Sequence, residues 1–179
     1  MTELNDYTFD EFLHLEIEER EQYKQYGIYS KANGFGLPEV LEWEWGKVQQ
    51  IRDMINQERL SYVEMIEILC TSYGKTREEI LLKKWHEVFK MYNFVSEEIS
   101  RVNEFEKELN YEPEASEINA GIDEFRQFGW FTTLYRLSGG DPLKYEAMGK
   151  MSYSDIFATL KLQRVDNEFN RRLMRQKHV

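Results

Sequence analysis

A chain of 179 residues with 41% apolar and 15% aromatic residues has enough material for one buried core, or one core with an arm. Its 33 acids outnumber its 23 bases, for a formal charge of -10, which speaks against a protein that grips nucleic-acid phosphates with a basic face. A single cysteine, Cys70, excludes an internal disulfide and fits a reducing compartment, and no apolar run approaches the roughly 18 residues of a membrane-spanning helix.

The N-terminus, MTELNDYTFDEF, is acidic where a secretory leader is basic, so the expectation is a cytoplasmic product. Thr8 and Glu11 have capping-box spacing: the hydroxyl serves one orphan N–H of a helix start and the carboxylate another. The helix expected from Thr8 to about Gln25 gathers Phe9, Phe12, Leu13 and Ile17 on one face. A glycine-rich loop, YGIYSKANGFGLP, should follow, with Gly27, Gly34, Gly36 and Pro38 as breakers. Residues 1–36 therefore read as an arm, and residues 37–179 as a single helical domain.

From about Glu39 to Asn56, Leu41, Trp45, Val48, Ile51 and Ile55 recur at helical spacing. Ser61 and Glu64 open a third helix, which Gly74 should stop after Tyr73. Thr76 and Glu79 open a fourth. Leu81, Trp85, Val88, Tyr92, Val95, Ile99, Val102 and Leu109 keep a three–four rhythm, predicting one central helix over residues 76–109, about 50 Å long if unbroken. Pro113 should end it. Ile118, Ile122 and Phe125 carry the next helix, with Gly129 as a kink before Phe131, Leu134 and Tyr135. Ser138-Gly139-Gly140-Asp141-Pro142 has what a helix corner requires: glycine for a left-handed C-cap, aspartate to cap, proline to start. Exposed N–H groups at such a start keep a ligand loop as the alternative. Ser152 caps the last helix, with Ile156, Phe157, Leu160 and Phe169 as its apolar residues. The fold expectation is all-α: an irregular bundle of about six to seven helices around one long central helix.

Two chemical readings fail on spacing and a third on its surroundings. Gly74-Lys75-Thr76 ends like a phosphate loop, but position 69 is leucine where the motif needs glycine, and no strand precedes it. Glu11 and His14 have the Glu-x-x-His spacing of a di-iron bundle, but a second such pair is missing, since Lys83 stands three residues before His86. Cys70 lies on an apolar helix face, the usual place of an inert thiol. No catalytic, cofactor-binding or metal-binding residue is therefore assigned.

The aromatic and charged residues point instead to protein contact. Trp45 and Trp85 sit on apolar stripes and read as core. Trp43 falls off its stripe, and Trp130, Phe131 and Tyr135 crowd more than one helix face, so these four are candidate partner anchors. Charge is segregated as well. Residues 1–25 hold Glu3, Asp6, Asp10, Glu11, Glu16, Glu18, Glu19 and Glu21 against Arg20 and Lys24. Residues 161–179 hold Lys161, Arg164, Arg171, Arg172, Arg175 and Lys177 against Asp166 and Glu168. Solvated helix faces explain both ends; head-to-tail contact between copies or with a partner is the functional alternative, with Arg171, Arg172 and Arg175 as its basic side.

An aromatic-rich helix (KKWHEVFKMYNFVSEEI), then FGWFTTLYRLSGGDPLKYEAMGKMSYSDIFATL, then a charged terminal helix, resembles small helical proteins of bacteriophage tail morphogenesis, with the tail assembly chaperones as the nearest group. The likeness spans roughly residues 43–179 and rests on the Gly-Gly-Asp-Pro corner followed by lysine and an acidic-apolar helix. It implies a non-enzymatic, self-associating protein without cofactor. Its partners would be the tape-measure protein and tail-tube subunits, in the cytoplasm of the infected bacterium. A permanent virion subunit of neck, portal connector or tail ring is the first alternative. An acidic inhibitor of a host protein is the second, and a small carboxylate enzyme the third.

Overall fold

The structure, a computed structural model, describes residues 7–56, 61–109, 113 and 115–177, without the side chains of Ser116 and Lys177. The acids Glu3 and Asp6, the side chain of Lys177 and part of the break expected around Pro113 lie outside the described residues. The fold is all-α. Among the described residues there is no strand, and strand-like pairing is confined to isolated bridges between Thr8 and Lys84 and between Glu44 and Ser152.

The chain divides into two compact units that interleave in sequence. One takes residues 1–39 and 50–101; the other takes 40–49 and 102–179. This differs from the expected arm and single domain. Phe9 and Phe12 are fully buried, so the N-terminal residues belong to a core rather than to an arm.

The first unit begins with α1 (Phe9–Leu13) and α2 (Ile17–Ile28), where one helix was expected. The Thr8–Glu11 capping box forms as read. Gly27 lies in the last turn of α2, one residue before its end, and packs so closely on Phe89 that a Cβ there would lie 2.5 Å from Cγ. The helix thus ends at Ile28, inside the segment expected as a loop and just past Gly27. Ile17 is 68% exposed and does not join the Phe9–Phe12 face. The latter half of α3 (Trp45–Ile55) and α4 (Tyr62–Tyr73) follow. Ser61 and Glu64 cap α4, and Gly74 ends it at φ +62°.

The long central helix is broken. α5 (Arg77–Leu81) stops, and α6 (Trp85–Lys107) starts afresh. Between them the backbone pairs with the chain's start: Phe9 N donates to Lys83 O at 2.7 Å, and Trp85 N donates to Tyr7 O at 3.2 Å. The aromatic core explains why these bonds win over helix continuity. Phe12 stacks on Trp85 at 5.9 Å and meets Phe89 edge-on at 5.8 Å; Tyr23 lies 5.4 Å from Trp85. Each such burial contributes about 1.5–3 kcal/mol, more than one helical hydrogen bond.

The second unit holds a 3-10 turn (Val40–Glu42), the start of α3 and the end of α6. α7 (Ala115–Asn119) comes next, then a 3-10 segment (Ile122–Phe128) and α8 (Trp130–Leu137). The expected kinked helix is therefore three pieces, because Gly121 (φ +86°) and Gly129 (φ +50°) both leave helical backbone. A 3-10 turn (Pro142–Lys144), α9 (Tyr145–Gly149) and α10 (Tyr153–Lys177) complete the unit. Tyr153 N donates to Trp43 O and Trp45 N to Met151 O, both at 2.8 Å, which ties the entry of α10 to the 40–49 segment. Val40, Trp43, Trp45, Val48, Val102, Leu134, Tyr153 and Ile156 are the buried apolar residues of this unit.

Candidate interaction surface

The corner at Ser138–Pro142 sets the geometry of the surface around α8. Gly139 (φ +68°) and Gly140 (φ +79°) take the left-handed backbone that a side chain disfavours. The Gly140 N–H donates to Tyr135 O at 2.8 Å, and Leu143 N donates to the Asp141 carboxylate at 3.0 Å. Ser138 is buried, and its hydroxyl donates to Tyr135 O. The corner's amide groups thus serve helix ends, which answers the ligand-loop alternative with a structural role. The Tyr135 ring lies so close over Gly140 that a Cβ there would sit 3.2 Å from the phenol oxygen.

α8 presents its amphipathic sides unequally. Leu134 is 5% exposed and anchors the helix inward. Trp130 is half-buried, edge-on to Trp45 at 5.6 Å. Phe131 meets Tyr145 edge-on at 5.2 Å but stays 42% exposed, and Tyr135 is 51% exposed. Phe125 (46%) lies under the Arg136 guanidinium at 5.3 Å, and Phe128 is 56% exposed. Leu143, just past the corner, is 91% exposed. Large apolar groups gathered on one short stretch and left in water are characteristic of a partner-binding surface rather than of scattered surface residues.

The other candidate anchors fare differently. Trp43 is 5% exposed; it lies before α3, just after the 3-10 turn Val40–Glu42, so the α3 stripe does not govern it and it is a core residue. Arg171 is turned inward to Glu117 at 2.8 Å, so this base joins α10 to its own unit. Arg172 stays exposed, 3.5 Å from Glu168 on the preceding turn, and Arg175 is exposed too. Glu16, Glu18, Glu19 and Glu21 at the other end are exposed.

The ionisable groups tested for chemistry serve structure. Hydrogen bonds from the backbone N–H of Thr8, Ser61 and Thr76 hold the Glu11, Glu64 and Glu79 carboxyls below their ordinary range. Burial pushes the Cys70 thiol up, away from the reactive thiolate, and pushes His86 down towards its neutral form. His14 Nδ1 lies 2.8 Å from Asp10 O while Glu11 closes its capping box, so this pair makes no di-iron arm. Lys75 pairs with Glu79 at 3.6 Å between the α4 stop and the α5 cap, which accounts for the Gly-Lys-Thr run. Among the described residues no group of three His, Cys, Asp or Glu side chains could hold a metal ion, and no helix is long and apolar enough to cross a membrane.

The sequence expectation put Phe169 with Ile156 among the apolar residues of the last helix and did not recognise the outer side of α10 to which it belongs. Leu162, Val165, Phe169 and Leu173 are exposed there, whereas Tyr153 and Ile156 face inward at 1% each. The signal was present as two apolar registers within one helix, offset by about half a turn. Compared with known proteins, the chain matches no family model, no characterised protein and no solved structure.

Proposed function

We propose that the chain is a non-enzymatic bacteriophage assembly protein that works by protein contact, as a tail assembly chaperone for the tape-measure protein. The observation that carries this reading is the exposed group Phe125, Phe128, Phe131, Tyr135 and Leu143 around α8 and its corner. A tape-measure protein is long and apolar along its helices before the tube covers it. A rigid aromatic surface held on a capped corner suits temporary cover of such a helix, because aromatic rings bury much area while losing few rotamers. The carboxylates whose pKa is clearly lowered are engaged in helix caps or ion pairs, and burial pushes the one thiol up, away from the reactive thiolate, which favours binding over catalysis. The acidic balance would keep the chaperone soluble in the cytoplasm of the infected cell.

The test is a pull-down of tagged chain from infected cells, with partners identified by mass spectrometry. A tape-measure protein recovered together with tail-tube subunits supports the chaperone. Portal, neck or tail-ring proteins in their place would make the chain a permanent virion subunit. A basic host protein bound in a salt-sensitive way would make it an acidic inhibitor.

A further inference from the structure

The last helix carries an apolar face that its own unit leaves uncovered. Asp155, Ala158, Leu162, Val165, Phe169 and Arg172 follow one another at alternating steps of three and four, so they share one face of α10. All six are exposed, with Leu162 at 70%, Val165 at 63% and Phe169 at 59%. The opposite face is the one that holds the helix to its unit, through Tyr153 and Ile156 near its start and Arg171 to Glu117 further on. A seam with this alternation is the geometry by which two helices interlock side chains, and a monomer has no use for it in water.

We propose that this face is the contact between two copies of the chain, with their α10 helices paired antiparallel about a two-fold axis. The charge pattern selects both the occupant and its direction. The seam begins with an acid, ends with a base and is apolar between. Setting Leu162 opposite Val165 of the second copy brings Ala158 against Phe169 and Asp155 against Arg172, and symmetry repeats each contact. The small Ala158 leaves room for the ring. A parallel pair would place Asp155 on Asp155 and Arg172 on Arg172, which repel. A face that complements itself when turned end to end fits a second copy. Both end charges are already steadied on their own helix, Asp155 by Ser152 Oγ at 2.6 Å and Arg172 by Glu168 at 3.5 Å, so pairing orders little that is not ordered before. The overlap over residues 155–172 is about 27 Å long. None of this depends on the phage-assembly reading, because it concerns the purified chain alone.

The experiment is sedimentation velocity on the purified full chain over a range of concentrations, with thermal melts to establish that each variant folds. Wild type shows a concentration-dependent monomer–dimer exchange. Phe169→Asp weakens the dimer on the order of a hundredfold, since a carboxylate would be buried at two symmetric places. Asp155→Arg or Arg172→Asp alone weakens it on the order of tenfold by setting like charges together. Mixing these two reversed chains restores association, because each then supplies the charge that the other lacks. A wild-type chain that stays monomeric throughout, a dimer indifferent to Phe169→Asp, or a mixture of reversed chains that fails to associate overturns the proposal.

Discussion

Gly27 sits inside a helix because the Phe89 ring occupies the space of its missing side chain. Helix propensity alone predicts that Gly27→Ala stabilises by about 1 kcal/mol. The clash with a buried ring costs about 1–3 kcal/mol and should win, so the variant should unfold at a lower urea concentration than wild type. The same scale governs acid sensitivity. Glu11, Glu64 and Glu79 have folded-state pKa values below 4.5, so their caps contribute stability that is present above pH 4.5 and lost as pH falls through the folded values. His86 is held below 6.5 chiefly by burial, so its contribution is present above pH 6.5 and fades as pH falls below it. Urea titrations against pH should show stability falling in two windows, and Glu64→Gln should make only the lower fall smaller, with Glu11 and Glu79 supplying the rest. Caps were legible in sequence because a cap is a local pattern of four residues. Gly27 was not, because its reason lies across space on a residue 62 positions away.

Helices with a stop written beside them were legible: α4 begins at Ser61 and ends at Gly74 as their chemistry requires. The long helix over residues 76–109 was not, although its apolar rhythm runs on from Leu81 to Trp85 across the break. Backbone pairing of residues 7–9 with 83–85 interrupts it, and no rhythm within the helix records that competition. Amide exchange at Trp85 should therefore be slow in the folded chain and should speed up in Phe12→Ala, a change that should also cost about 3–5 kcal/mol by emptying the aromatic core. α10 offers a contrast within one element. Ile156→Ala should cost about 2–5 kcal/mol, while Phe169→Ala should leave unfolding of the monomer within about 0.5 kcal/mol of wild type. Equal effects of the two substitutions on monomer stability would contradict the assignment of inner and outer faces.

At the scale of the molecule, the all-α class followed from helical spacing and turn chemistry, while the division into units did not. Residues 40–49 group with 102–179, held by Trp43 O and Trp45 N at the entry of α10, although α3 continues unbroken into residues 50–55 of the other unit. Local patterns carry no trace of such an exchange. Trp130, Phe131 and Tyr135 stood out in sequence because they exceed what one helix face can bury, and the structure leaves Phe131 and Tyr135 at the surface. Trp43 stood out because it falls off the α3 stripe, yet it lies before α3, just after the 3-10 turn Val40–Glu42, and is buried. In the proposed function, the exposed aromatic residues of α8 would be the place where a partner is shielded. The most direct test is to co-express the tape-measure protein with the wild-type chain or with Phe131→Asp/Tyr135→Asp, and to measure how much tape-measure protein stays soluble. Both substitutions fall on exposed positions, so the variant should fold. The account predicts soluble tape-measure protein with wild type and aggregation with the variant. Equal solubility with both, or aggregation with both, would contradict it.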